Sequence, residues 1–362
     1  YMEMAQVLGA SPVRVWWQVV WPLVRPAVLA GVALALMETL ADFGTVSVFN
    51  VETFTTAIYK AWYGFFDLHS AAQLACVLLG VVGVIVLWTR LDAPAVTGTE
   101  TRVSHTPVVL RGSRALCASA YCVVVFLLAF GVPVAQLLVW MLADMHGGSG
   151  LLALLVHSVS LALMAVFWVV LVAIVLAYLV RVTPYPWVRW LVGMVNLGVA
   201  IPGSVLAVGV LLWLHGLDRL GHAWFGVQLS ALGAGVALGL TYMIRFLAVA
   251  FRPVQASFAQ VTPVLTEAAC LLKAPILVRF FRLYLPLVLP GVLGAMLLVF
   301  VEVLKEMPAT LLLRPFGWDT LAVRIFEWTS EGEWALAAWP ALMLVLVGLL
   351  PIIVLVQRAR SV

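Results

Sequence analysis

Charge is what this 362-residue sequence has least of. Asp, Glu, Lys and Arg make up 10% of it and hydrophobic residues 65%, whereas about a quarter of a soluble domain is charged. A soluble fold is therefore excluded, and most of the surface must face lipid. Four cysteines, Cys76, Cys117, Cys122 and Cys270, stand in or beside apolar runs without metal-ligand spacing, so neither a zinc site nor a disulfide is predicted. The six histidines are scattered and make no haem or zinc pattern. No Gly-x-x-x-x-Gly-Lys-Ser/Thr loop and no hydrolase serine elbow occurs, which excludes ATP hydrolysis or acyl transfer by those routes. The alternating ten-residue pattern of a membrane barrel is also missing, leaving helices as the spanning element.

What is there is length. Runs at about 23–42, 71–90, 116–141, 156–180, 188–214, 226–250, 287–309 and 335–356 can each cross a hydrocarbon core of roughly 30 Å. The predicted class is an all-α polytopic membrane protein of about eight spans. Its basic residues set the orientation. Arg14, Arg25, Arg90, Arg102, Arg111, Arg114, Arg181, Arg189, Arg245, Arg252, Lys273, Arg279, Arg282, Arg358 and Arg360 fall on one side, 15 of the 20 Lys and Arg, and the positive-inside rule makes that side cytoplasmic. Asp67, Asp144, Asp218, Asp319, Glu327, Glu331 and Glu333 fall opposite. The net charge of +4 is an orientation signal, and no nucleic-acid partner is predicted.

The chain repeats itself. Glu3-Met4-Ala5, Gly9, Pro22 and Pro26 return as Glu267-Ala268-Ala269, Lys273, Pro286 and Pro290, at an offset of 264 residues, with the glutamate 19 and 23 residues before the two prolines each time. Internal repeats govern the reading of a fold. Each copy predicts a short helix, a turn and a second helix returning to the membrane. The glutamate suits the helix start, Gly9 suits a left-handed C-terminal turn, and Pro12 or Pro275 can begin the second helix in its first turn. Lys273 takes the glycine's place, which implies an altered turn or a contact with an acidic partner, because a non-glycine residue there costs about 1–2 kcal/mol.

Acidic residues within the spans are repeated too. Glu38 and Asp42 align with Glu302 and Glu306 at the same offset of 264, and a spacing of four puts each pair on one helical face. The 16 residues from Pro22 to Glu38 rise about 24 Å, so these carboxylates lie toward the outer ends of their spans. They read either as helix-end groups wetted by the interface, with Lys305 neutralising Glu302, or as a substrate path suited to a hard cation that prefers oxygen ligands. Ala200-Ile201-Pro202-Gly203 breaks a span, as a kink or as part of the path. Trp16 and Trp17 are interfacial anchors or partner contacts.

The loop Glu-x-Ala-x-x-x-Gly-Ala-Ser-Pro with its Pro-Leu-Val-Arg-Pro exit at 22–26 resembles the EAA loop of binding-protein-dependent ABC transporter permeases. Ala41-Asp42-Phe43-Gly44-Thr45, Thr53 to Tyr59, Ala200 to Gly203 and Lys305 to Phe316 look like the ferric iron type. The resemblance implies an ABC importer permease in a bacterial inner membrane, with no enzymatic activity or cofactor of its own. Its partners would be a pair of ATP-binding subunits, which hold the ATP, and a periplasmic substrate-binding protein. Residues 3–17 and 267–281 would couple to the ATPase through Glu3, Ala5, Gly9, Glu267, Ala268, Ala269 and Lys273. Glu38, Asp42, Glu302 and Glu306 would line the path of a solute, ferric iron first, with thiamine, a phosphonate or another small solute as alternatives. A secondary transporter is the rival class, but inverted repeats are expected there and these repeats are parallel.

Three segments follow: residues 1–91, the C-terminal part of a first repeat; 92–115, a cytoplasmic linker; and 116–362, a second repeat of six spans with its loop at about 252–285. The first residue, Tyr1, falls inside a loop, and the second repeat has four spans before its loop. The sequence therefore reads as an N-terminally truncated fragment of a six-plus-six architecture.

Overall fold

The computed structural model describes residues 4–5, 9, 11–91, 110–143, 150–183, 185–225, 233–273 and 275–360. Glu3, residues 92–109 of the expected linker, Asp144, His146 and the start of the expected span at 226 lie outside them. Every regular element among the described residues is helical. In chain order these are α1 (Pro12–Ala41), α2 (Gly44–Val48), α3 (Phe54–Tyr59), α4 (Leu68–Leu91), α5 (Ser113–Ala143), α6 (Leu151–Val182), α7 (Pro186–Gly198), α8 (Gly203–Phe225), α9 (Gly233–Gln260), α10 (Pro263–Leu271), α11 (Ile276–Leu304), α12 (Pro308–Leu313), α13 (Leu321–Ser330) and α14 (Trp334–Arg360).

Seven of these helices are long and apolar enough to cross a membrane, or eight if α7 and α8 make one span. Those two are bent by 119° at the Ala200–Gly203 break, which is more than a proline kink within one helix. The expected run 188–214 is thus two helices. At 287–309 the span instead begins earlier, at Ile276, and stops at Leu304.

The chain divides into two compact units. One holds residues 1–40 and 79–135; in it the apolar side chains of α1 and of α5 up to residue 135 stay largely exposed, with Ala33 an exception. The other holds residues 41–78 and 136–362, and its core lies among α6, α9 and α11. Its centre is α9, which buries Tyr242, Phe246, Phe251, Val254 and Phe258. Two glycines let other helices close on it: a Cβ at Gly198 would stand 2.1 Å from the Ile244 carbonyl oxygen, and one at Gly291 2.7 Å from that of Pro253. Small residues at such crossings let backbones pack tightly where burial against lipid supplies little drive.

Candidate functional site

The loop after α9 starts at a bend at Val261, whose carbonyl accepts a hydrogen bond from the Arg181 guanidinium at 2.7 Å. Helix α10 follows from Pro263 to Leu271. Glu267 is exposed in the middle of it, so the expected placement at a helix start fails for this copy, because Pro263 to Thr266 already form its first turn. Ala268 is exposed and Ala269 half-buried. The chain then reverses at Lys273, with φ +50°. Its counterpart Gly9 has φ +80°, so the lysine holds the left-handed turn rather than altering it. Ala5 is helical and half-buried.

The returns to the membrane match residue for residue. Ser11 and Pro275 are both extended N-caps, with ψ 150° and 154°, and the helices begin at Pro12 and Ile276. Pro275 therefore sits one place before the helix, not in its first turn, and its one-residue offset from Pro12 leaves the helix start unchanged. Each helix then passes through one π-turn, Trp16–Val20 and Phe280–Tyr284, closed by the amides of Trp21 on Trp16 and Leu285 on Phe280. The prolines just beyond, Pro22, Pro26, Pro286 and Pro290, remove the usual i−4 bonds, and a π-turn is a common accommodation where a helix ladder is interrupted.

Around the second loop the footing is aromatic. Tyr178 of α6 meets Phe258, Phe280 and Tyr284 at ring separations of 6.3, 5.2 and 5.5 Å. The buried Tyr284 also donates to Thr266 Oγ1 at 3.1 Å, tying α10 to α11. Beyond this footing the loop presents Leu271, Leu272 and Leu277 almost bare, and the first loop presents Val13, Trp16 and Trp17. Apolar patches of this kind mark contact surfaces.

At the other ends of α1 and α11 the carboxylates split by role. Glu38 and Glu302 are on the helices, but α1 stops at Ala41 and α11 at Leu304, so Asp42 and Glu306 fall in the breaks and the expected common helical face is not formed. Asp42 Oδ1 accepts the Thr45 amide at 3.2 Å, and Glu306 Oε1 the Ala309 amide at 3.1 Å. Each caps the short helix that follows, in the manner of an N-cap. Glu302 pairs with Lys305 at 2.9 Å, as expected. Glu306 is 5% exposed and pairs with Arg245 of α9 at 3.3 Å. Arg245 therefore lies within the helix core, which corrects its assignment to the cytoplasmic side. Among the described residues no three His, Cys, Asp or Glu side chains come close enough to hold a metal ion.

Residues 1–90 match the family model of the binding-protein-dependent transport system inner membrane component. The Fe(3+)-transport system permease protein FbpB 2 of Haemophilus influenzae is 28% identical over 368 residues, covering 99% of this chain and 70% of that protein. The chain is similar to permeases of the binding-protein-dependent type, by family in residues 1–90 and by sequence along nearly its whole length. The ferric transport system permease protein FbpB of Actinobacillus pleuropneumoniae is 23% identical over 359 residues, 92% of this chain and 51% of that one. The molybdenum transport system permease protein ModB of Mycobacterium tuberculosis is 33% identical over 108 residues, 28% of this chain and 39% of that one. The chain thus spans between about two-fifths and seven-tenths of the length of these relatives. Family and helices together make it a multi-pass protein of a bacterial inner membrane.

Sequence reading missed one part of the chain. Arg314 pairs with Asp319 and, at 2.7 Å, with Glu327; Arg324 pairs with Asp319 at 2.6 Å and with Glu327 at 3.1 Å. Two cations and two anions alternate in a closed ring that binds the loop after α12 to α13. The acidic members had registered only as a charge bias; the spacing Arg-x4-Asp-x4-Arg-x2-Glu was the signal available. Beside them a cavity of about 440 Å³ is lined by Asn50, Glu52, Lys60, Thr329, Glu331 and Trp334, among others.

Proposed function

We propose that this permease carries a small solute, ferric iron first, from the periplasm to the cytoplasm. ATP is hydrolysed by a separate pair of ATP-binding subunits, and the solute arrives on a periplasmic binding protein. The observation that carries the reading is the duplicated loop: a left-handed turn, a helix start and a π-turn, each recurring 264 residues apart. Residues 3–17 and 267–281 are the surfaces on which the ATPase pair acts. A loop footed on packed aromatic rings moves as a body, and α11 rises about 43 Å along its 29 residues, so motion of the loop before Ile276 is carried along one helix to Leu304, two residues short of Glu306. Rigid-body rocking of this kind is how transporters alternate access. Glu38, Asp42, Glu302 and Glu306 belong to the solute path, the last with its charge already met by Arg245.

Iron is favoured by the likeness to ferric permeases along nearly the whole chain. The shorter likeness to a molybdenum permease supports an oxyanion as the second reading. The test is ATP-dependent accumulation in proteoliposomes holding the complex and its loaded binding protein. Labelled ferric iron should accumulate, and Glu267→Lys should abolish this while leaving the permease in the membrane. Accumulation of molybdate or a phosphonate in place of iron would reject the substrate. Normal uptake by the Glu267→Lys protein would reject the coupling role.

A further inference from the structure

Two broken helices meet at one point inside the second unit. The α7–α8 break ends at Gly203, the α11–α12 break contains Glu306, and Arg245 of α9 stands between them. A Cβ at Gly203 would lie 2.1 Å from Arg245 Nη1 and 2.5 Å from Glu306 Oε1, so both side-chain ends rest against the glycine and close the junction, and a side chain there would have to push them aside. The groups around it are polar although the helices are not. Tyr242 and Thr310 share a 2.6 Å hydrogen bond, and Thr310 Oγ1 donates to the Glu306 carbonyl at 2.8 Å. Ser204 is 1% exposed and its hydroxyl has no partner among the described residues, an orphan in a place where an unpaired polar group is costly.

Two features argue against a merely structural pair. Its contacts, 3.3 and 3.4 Å, are long beside the 2.7–2.9 Å usual for charged groups. A buried ion pair also adds little stability over an apolar pair of the same volume. Broken helices with polar groups at membrane depth are tolerated where they line a cavity or passage. We infer that Arg245 and Glu306 are the closed gate of the solute path, with Gly203 as the surface they close against and the Ser204 hydroxyl exposed to the passage when they part. The inference rests on the permease reading above but not on iron as the solute.

The test uses the full chain assembled with its ATPase subunits in proteoliposomes, with Cys76, Cys117, Cys122 and Cys270 replaced by serine and Ser204→Cys introduced. A small charged methanethiosulfonate reagent is the probe. The thiol should resist it at rest and react about tenfold faster or more after ATP and vanadate trap the complex. Adding Glu306→Gln should raise the resting rate by a similar factor, an arm that needs no ATPase cycle. The double variant Arg245→Met with Glu306→Met should assemble normally, fail to transport, and keep the thiol protected in both states. Equal labelling at rest and when trapped, or no labelling in either state while transport proceeds, overturns the gate. A complex that opens at Ser204→Cys yet carries no iron would discard only the iron reading.

Discussion

The two repeats share a backbone plan and differ in what holds it. At the duplicated loops the left-handed turn is made by Gly9 in one copy and by Lys273 in the other. At the opposite helix ends the capping carboxylate is Asp42 in one and Glu306 in the other, and Glu306 is buried against Arg245. A duplicated chain thus keeps its hinges and reassigns its charges. The backbone geometry is kept in both copies, whereas the buried ion pair is seen in one of them among the described residues.

The sharpest way to break the comparison is at the breaks. Arg245→Leu leaves Glu306 buried without its cation, a loss of about 3–5 kcal/mol for an intramolecular pair of this kind. The equivalent insult in the first copy, Asp42→Ala, removes a cap worth about 1 kcal/mol. Melting of the purified protein in detergent should therefore show a large drop for the first variant and a small one for the second. Equal drops would mean that the two breaks are held alike.

The turns come next. Gly9→Ala forces a side chain into the left-handed region at about 1–2 kcal/mol. Lys273→Gly relieves the same strain, offset by about 0.4–1 kcal/mol for the flexibility glycine adds to the unfolded chain. Limited proteolysis of the loops should quicken in the first case and slow or stay level in the second. If Lys273→Gly instead lowers uptake with the loop intact, the lysine is retained for a partner's acidic group. Tyr284→Phe sharpens the contrast further. It removes the bond to Thr266, worth about 1 kcal/mol, and should loosen the second loop alone, since position 20 in the first copy is Val20.

Much of this was legible in the sequence because it depends on spacing. The 264-residue offset, the spans and the turn positions follow from where glutamate, glycine and proline fall. The rest depends on where helices stop. Treating Glu302 and Glu306 as one helical face assumed that α11 continued, but it ends at Leu304, and the carboxylate two residues later turns to cap α12. Arg245 was counted as cytoplasmic because a basic residue in an apolar run has no visible partner in one dimension; its partner is 61 residues away in sequence. The ring of Arg314, Asp319, Arg324 and Glu327 escaped for the opposite reason. Its members are near neighbours, and charge counting cancels them.

The smallest effect separates the starts of the last spans of the two repeats. Before α4, Asp67 accepts the amides of His69 and Ser70 at 3.0 and 3.1 Å and the Ser70 hydroxyl. Before α14, the Glu333 backbone carbonyl takes the Ala337 amide. The Ser70 hydroxyl, with the backbone amides behind it, holds the Asp67 carboxyl below its ordinary value of 3.8. A depressed carboxylate contributes stability that is present above the unfolded value and is lost as pH falls through the folded one. Amide exchange in the first turn of α4 should therefore stay slow on acidification until below the ordinary carboxylate range and then quicken. Asp67→Asn should flatten that dependence, since the amide caps without titrating. The group is fully exposed, so salt should shrink the effect, and the start of α14 should show none of it. Identical acid profiles at the two starts, or an unchanged profile in Asp67→Asn, would show that this cap does not distinguish the repeats.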